Sequence, residues 1–68
     1  MLWIEFYGVC ADGSPAERAV GQPPYSNLGA AIDAALRLRD GVAREILANI
    51  IGFRIRNEFH TIVYEFTF

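Results

Sequence analysis

Two stretches of the chain, residues 2–9 and 61–68, alternate apolar and other side chains with a period of two. Successive side chains of a strand point to opposite faces of a sheet, so this period predicts a β-strand in each stretch. A third stretch, residues 52–56, alternates phenylalanine and isoleucine with two arginines and is interpreted as a shorter strand. We place the last of the three strands, which is the richest in aromatic and β-branched residues, at the centre of the sheet.

A helix is predicted between the first and second of these strands. From residue 28 onwards, apolar side chains recur at spacings of three and four, which is the period of one helix face. Ser26 and Asn27 are both suited to the N-cap, because a short polar side chain accepts a hydrogen bond from the first turn. We expect the helix to cover residues 27–39. Residues 10–26, in contrast, contain glycine and proline without periodicity, which predicts a long loop with at most one helical turn.

Gly41 is predicted to break or bend the helix. The helical stripe continues over residues 42–50, but an unbroken helix of that reach would measure ~36 Å, against ~27 Å for an eight-residue strand. A second helical segment after Gly41 would fit the sheet better. The competing interpretation assigns Ile50 and Ile51 to the next strand.

These elements predict a two-layer α+β domain of order β-α-β-β, with a three-stranded antiparallel sheet of strand order 1-3-2. The apolar residues that face the helix are Leu2, Ile4, Phe6, Phe53, Ile55, Ile62, Tyr64 and Phe66. A charge argument favours the other strand order, since the arginine strand would then separate Glu5 from Glu65. In either order the first strand has a neighbouring strand on one side only. Its free edge has no proline or lysine to block pairing with another chain.

The opposite face of the predicted sheet has no segment left to cover it. The residues that we expect there to bind a partner are Trp3, Glu5, Tyr7, Arg54, Arg56, Val63 and Glu65. Aromatic and arginine side chains are enriched in protein interfaces, and the same residue types form platforms for single-stranded nucleic acid. In the alternative interpretation, the rings merely shield the backbone and the charged residues pair with one another in solvent.

The length of 68 residues predicts one domain, residues 1–68, with a core of marginal size. The single cysteine, Cys10, cannot form an internal disulfide, and together with the single histidine, His60, it cannot supply a zinc site. These two residues also lack the third, orienting residue of a nucleophile and base pair, and no glycine spacing suits a phosphate. We therefore expect no catalytic residue, no cofactor and no metal. The hydrophobic fraction of 53% suggests that some apolar surface faces another chain.

The net charge is −2, and all basic residues are arginine. This balance argues against strong nonspecific nucleic-acid binding, which requires a basic surface. No apolar run is long enough to span a membrane and no signal sequence is apparent, so we expect a cytoplasmic protein with no membrane partner.

The prediction that follows is a small non-enzymatic protein-binding module that works as a stand-alone inhibitor or adaptor. Phage inhibitors of host nucleoprotein complexes offer an analogy for such an economical chain. A homodimer through the open sheet face or the edge of the first strand is also expected. Single-stranded nucleic-acid binding on the aromatic and arginine platform is the alternative function.

Overall fold

The computed structural model describes residues 1–20 and 24–68. Its elements in chain order are β1 (Leu2–Cys10), β2 (Pro15–Tyr25), α1 (Leu28–Ile46), β3 (Ala48–Asn57) and β4 (Ile62–Thr67). All strand pairs are antiparallel, and the sheet has the order β2-β1-β3-β4. The helix packs against one face of β1, β2 and β3. The chain therefore has the predicted two-layer α+β architecture, with one helix on an antiparallel sheet.

The predicted three-stranded sheet of order 1-3-2 is wrong in both strand number and strand order. The last strand, β4, lies at an edge, and β3 lies between β1 and β4. Arg54 of β3 pairs with Glu5 of β1 on one side and with Glu65 of β4 on the other. Opposite charges thus alternate across the strands, as the charge argument favoured. The apolar content of a strand did not predict its position in the sheet. The strand β3, which contains the fully buried Phe53 and Ile55, is more deeply buried than β4.

The predicted loop before the helix contains the fourth strand, β2. Ala16 lies opposite Gly8 and Val20 opposite Ile4, so this segment pairs with β1 over most of its length. Val20 also packs against the core. Because β2 and β3 flank β1 on its two sides, the edge of the first strand is not free, and the predicted dimer through that edge is excluded.

The helix α1 runs without a break over Leu28–Ile46, so the predicted break at Gly41 is wrong. Asn27 is the N-cap, and its Oδ1 accepts a hydrogen bond of 2.7 Å from a backbone N–H of the first turn. The helix ends at Leu47, which has left-handed backbone dihedrals with φ 53°. A helix of 19 residues is ~28 Å long and matches the strands. Ile50 consequently belongs to β3, as the competing interpretation held.

The core lies between small side chains of the helix and large side chains of the sheet. The buried residues are Ala31, Ala34, Ala35 and Val42 from α1, and Ile4, Phe6, Ile50, Phe53 and Ile55 from the sheet. Alanines allow the helix to approach the aromatic rings closely, which fills the space between the layers. Most of the predicted inward residues are therefore in or beside the core. Two are not, since Ile62 and Phe66 of the edge strand β4 are 43% and 37% exposed.

Candidate functional site

The face of the sheet opposite α1, called here the outer sheet face, brings most of the predicted binding residues together. Six of the seven lie on it: Trp3, Glu5, Tyr7, Arg54, Arg56 and Glu65. Trp3 is the cross-strand partner of Arg56, and Glu5 is the partner of Arg54. The seventh residue, Val63, is exposed and lies where the register between β3 and β4 shifts.

Arg54 is the centre of an ion-pair network on the outer sheet face. Its Nη1 lies 2.9 Å from Glu5 Oε1, and its Nε lies 2.9 Å from Glu65 Oε2. Glu17 of β2 approaches the same guanidinium at 3.7 Å, and Arg56 Nη2 lies 3.5 Å from Glu5. Hydrogen bonds to Glu5 and then to Glu65 raise the pKa of Arg54 above its ordinary value. Both arginines are thus engaged by carboxylates of the same chain.

Tyr7 is held flat across the neighbouring strand. Gly52 leaves room for it, because a Cβ atom at that position would collide with the Tyr7 ring and with the Phe66 carbonyl oxygen. The Tyr7 hydroxyl lies 3.1 Å from Thr67 Oγ1, and the guanidinium of Arg54 stacks 4.3 Å from the ring centroid. These contacts fit the alternative interpretation, in which the aromatic rings of this face shield the backbone.

A pocket of about 390 Å³ opens beside Trp3 at one end of the outer sheet face. It is lined by Trp3, Ile4, Glu5, Ala19, Arg56, Asn57, Glu58 and His60. The turn that forms one wall is ordered by Asn57 Oδ1, which accepts hydrogen bonds from the N–H groups of Phe59 and Thr61. His60, which lies in this turn, has a left-handed backbone conformation with φ 61°. Arg56 crosses the turn and donates a 2.9 Å hydrogen bond to the His60 carbonyl oxygen.

The sequence did not predict a second exposed surface, formed by the inner face of β4 and the adjoining flank of α1. We call it the β4–α1 surface and define it by Leu28, Ile32, Leu36, Tyr64, Phe66 and Phe68. Leu36, Phe66 and Phe68 are 51%, 37% and 38% exposed. The guanidinium of Arg39 lies 3.9 Å from the centroid of the Phe68 ring, which fixes the flank of the helix that faces β4. At ~100° per residue, the three apolar helix residues of the surface lie on the same flank as Arg39.

Aromatic rings form the floor of the β4–α1 surface. Phe66 stacks on the buried Phe53 with ring centroids 5.6 Å apart, and Phe68 meets Phe66 edge-on at 5.4 Å. The surface stays open because α1 packs against β1, β2 and β3, whereas β4 is the fourth strand and lies at the edge beyond them. The signal in the sequence was the apolar stripe of α1, which is wider than a single contact face requires.

Cys10 and His60 do not form a catalytic pair. Cys10 pairs with Ala48 at the start of β3, whereas His60 follows the end of that strand. The length of β1, ~27 Å, separates the two residues. Within residues 1–20 and 24–68, no group of three or more His, Cys, Asp or Glu side chains is placed to hold a metal ion. In the same ranges, no helix is long and apolar enough to cross a membrane.

The chain matches no protein family, no curated protein and no solved structure. Within the part of the chain that the structure describes, the function is inferred from two surfaces. The outer sheet face holds its charged residues in ion pairs, whereas the β4–α1 surface exposes large apolar side chains.

Proposed function

We propose that this protein is a non-enzymatic protein-binding module, an inhibitor or adaptor, whose main contact surface is the β4–α1 surface. The observation that carries the proposal is the exposure of Leu36, Phe66 and Phe68 at the margin of the core. Exposed apolar surface of this kind is typical of interaction sites. Aromatic rings that stand beside a rigid core are also well suited to act as binding hot spots. The surface thus differs from the one predicted from the sequence, while the kind of function is the same.

The outer sheet face has a secondary role in this proposal. The ion pairs of Arg54 and Arg56 would have to break before either side chain could bind a partner in the same geometry. The pocket beside Trp3 needs no such rearrangement and has room for one side chain of a partner protein. We therefore assign the outer sheet face a supporting contact through Trp3.

Single-stranded nucleic-acid binding on the outer sheet face is the competing proposal, and its charges disfavour it. The carboxylates of Glu5, Glu17 and Glu65 lie within 4 Å of the two arginines of this face, so a phosphate would have to displace a carboxylate. Titration of Trp3 fluorescence with a single-stranded oligonucleotide at low salt tests this function. Quenching would support it if the logarithm of the fitted binding constant falls linearly with the logarithm of the salt concentration. Unchanged fluorescence removes it.

Two neighbouring leucines provide a matched test of the protein-binding proposal. Leu36 and Leu38 are both exposed, but Leu36 lies on the flank of α1 that faces β4, whereas Leu38 lines a groove between α1 and β2. A glutamate buried in an interface is costly, so Leu36→Glu should abolish partner binding while Leu38→Glu retains it. Circular dichroism of both variants confirms that the fold is kept.

The experiment is an affinity capture from a lysate of the source cells with the wild type and both variants as bait. We expect a stoichiometric protein partner with the wild type and with Leu38→Glu, and none with Leu36→Glu. Equal capture by all three baits would show that the contact surface is assigned wrongly. A wild type that captures no partner and does not self-associate would contradict the function itself.

A further inference from the structure

The edge strand β4 has backbone groups that point away from the sheet. The N–H of Phe68 donates to the carbonyl oxygen of Ile51 over 2.7 Å, so the backbone groups of Phe68 face β3. In an antiparallel ladder these directions alternate from one residue to the next. Phe66 therefore also faces β3, whereas the N–H and C=O groups of Glu65 and Thr67 face outward. Another strand can add to this edge through those four groups.

The two edges of the sheet differ in their protection against such pairing. The edge strand β2 contains Pro15 and Pro24, which lack an N–H donor, and it also carries charged residues. The edge strand β4 contains no proline, and Glu65 is its one charged residue. Its pairing with β3 is regular from Tyr64 to Thr67 and becomes irregular only near Val63. The regular part of β4 is thus the edge that is open to another strand.

We propose that the β4 edge pairs in antiparallel fashion with the β4 edge of a second copy of this chain. The inference rests on the proposed function, because it names a second copy as a protein partner of the β4–α1 surface. Residues that lie directly opposite in an antiparallel pair share a face of the sheet, so the aromatic faces of the two copies become continuous.

The charge of Glu65 selects the register of this pairing. With Phe66 opposite Phe66, Glu65 of each copy lies opposite Thr67 of the other, and the two pairs exchange four backbone hydrogen bonds. A shift by two residues in one direction sets Glu65 against Glu65, which is unfavourable for like charges, and brings Val63 into the ladder. The register centred on Phe66 avoids this repulsion between like charges and keeps the irregular part of β4 out of the ladder.

The side chains on the helix side support the same register. Tyr64 of each copy lies opposite Phe68 of the other, and Phe66 lies opposite its own equivalent. Cross-strand aromatic pairs are favourable neighbours in sheets. The exposed rings of Phe66 and Phe68 would thereby gain contacts that the single copy does not provide. An extended segment of a different protein is the other occupant of this edge, and the experiment below distinguishes it.

Sedimentation of the wild type and two variants of Thr67 tests the pairing. A proline at this position removes the outward-facing N–H and the hydroxyl contact with Tyr7, and it leaves the backbone ladder with β3 intact. The matched control Thr67→Val keeps the N–H and loses the hydroxyl contact with Tyr7. At tens of micromolar we expect the wild type and Thr67→Val to sediment at twice the 7.6 kDa chain mass. Thr67→Pro should sediment as a single chain, with association weakened at least tenfold.

Disulfide trapping tests the register without a proline variant. In a Cys10→Ser background, a mixture of Glu65→Cys and Thr67→Cys chains should form a mixed disulfide, because opposite Cα atoms lie about 5.5 Å apart in a hydrogen-bonded pair. Neither variant by itself should form a disulfide-linked dimer, because its cysteine then lies opposite a residue that is not cysteine. A disulfide between two Glu65→Cys chains would overturn the register.

A wild type that is monomeric at tens of micromolar, or a Thr67→Pro variant that remains dimeric, would overturn the self-pairing. The proposed function is judged separately by the affinity capture. A monomer that still retains a stoichiometric partner through Leu36 shows that the partner is a different protein. A monomer that retains nothing contradicts both proposals.

Discussion

Truncating the two stacked rings of Phe53 and Phe66 should have unequal effects on stability. Their centroids are 5.6 Å apart, but Phe53 is fully buried whereas Phe66 is 37% exposed. Phe53→Ala leaves a cavity between the sheet and α1, for which ~3 to 5 kcal/mol is expected. Phe66→Ala loses roughly two thirds of a full burial term of ~1.5 to 3 kcal/mol and the aromatic contacts with Phe53 and Phe68. Its site opens to solvent and leaves no cavity, so the total is about 2 to 3 kcal/mol.

The assay is urea denaturation followed by circular dichroism. The core of a domain of this size supplies about 3 to 5 kcal/mol of stability, so Phe53→Ala should be largely unfolded without denaturant, and Phe66→Ala should unfold cooperatively at a lower urea concentration. Phe53→Leu, which keeps most of the apolar volume, is the control. Several protein concentrations are needed because the proposed dimerisation would shift the apparent stability. Equal losses for the two alanine variants would refute the placement of β4 at the edge.

Three further predictions concern local structure. Gly41→Ala should raise the free energy of unfolding by ~0.5 to 1 kcal/mol, because the helix is continuous and nothing lies within 4 Å of an added Cβ; a lower urea midpoint would indicate that the helix breaks there. Leu47→Gly should raise it by up to ~1 kcal/mol, since Leu47 is 81% exposed and left-handed, and a lower melting temperature would contradict this. The hydrogen bond from the Ser14 hydroxyl, followed by that from its backbone N–H, lowers the pKa of Asp12 from 3.8. The ionised Asp12 therefore stabilises the folded protein at pH values above its ordinary pKa, and this contribution is lost as the pH falls through the lowered pKa. In a series of melting experiments at acid pH, the melting temperature should decline more for the wild type than for Asp12→Asn.

The alternation in the sequence was sufficient to find three of the strands and the buried face of two of them. Ile4 and Phe6, and likewise Phe53 and Ile55, are buried as their spacing predicted. The same alternation carries no information on which strands are neighbours, because an edge strand and a central strand can share one pattern. The position of Phe66 was therefore predicted wrongly, and the cross-strand charges were the better guide to strand order.

Two local features misled the sequence analysis for a physical reason. Pro15 and Pro24 indicate a loop by composition, yet an edge strand tolerates proline where its N–H would face solvent. Gly41 suggested a break, but a helix held by tertiary packing accepts an isolated glycine. The true end of the helix is at Leu47, a residue type that rarely adopts the left-handed conformation, so no signal marked it.

The candidate sites were predictable to different degrees. Alternation placed Trp3, Glu5 and Tyr7 on one face with Arg54 and Arg56, and the structure brings them together. The engagement of both arginines by carboxylates depends on strand order and on β2, so it was beyond the reach of the pattern. The β4–α1 surface depends on how many strands a single helix covers, which only the completed sheet reveals.

Amide hydrogen exchange at β4 tests the central claim most directly, namely that this edge and its aromatic face are the contact surface. The N–H groups of Phe66 and Phe68 face β3 and should be protected at every protein concentration. Those of Glu65 and Thr67 should exchange freely in dilute solution and become protected as the concentration rises through the dimerisation range. Free exchange at Glu65 and Thr67 at all concentrations, and in the presence of any captured partner, would contradict the claim.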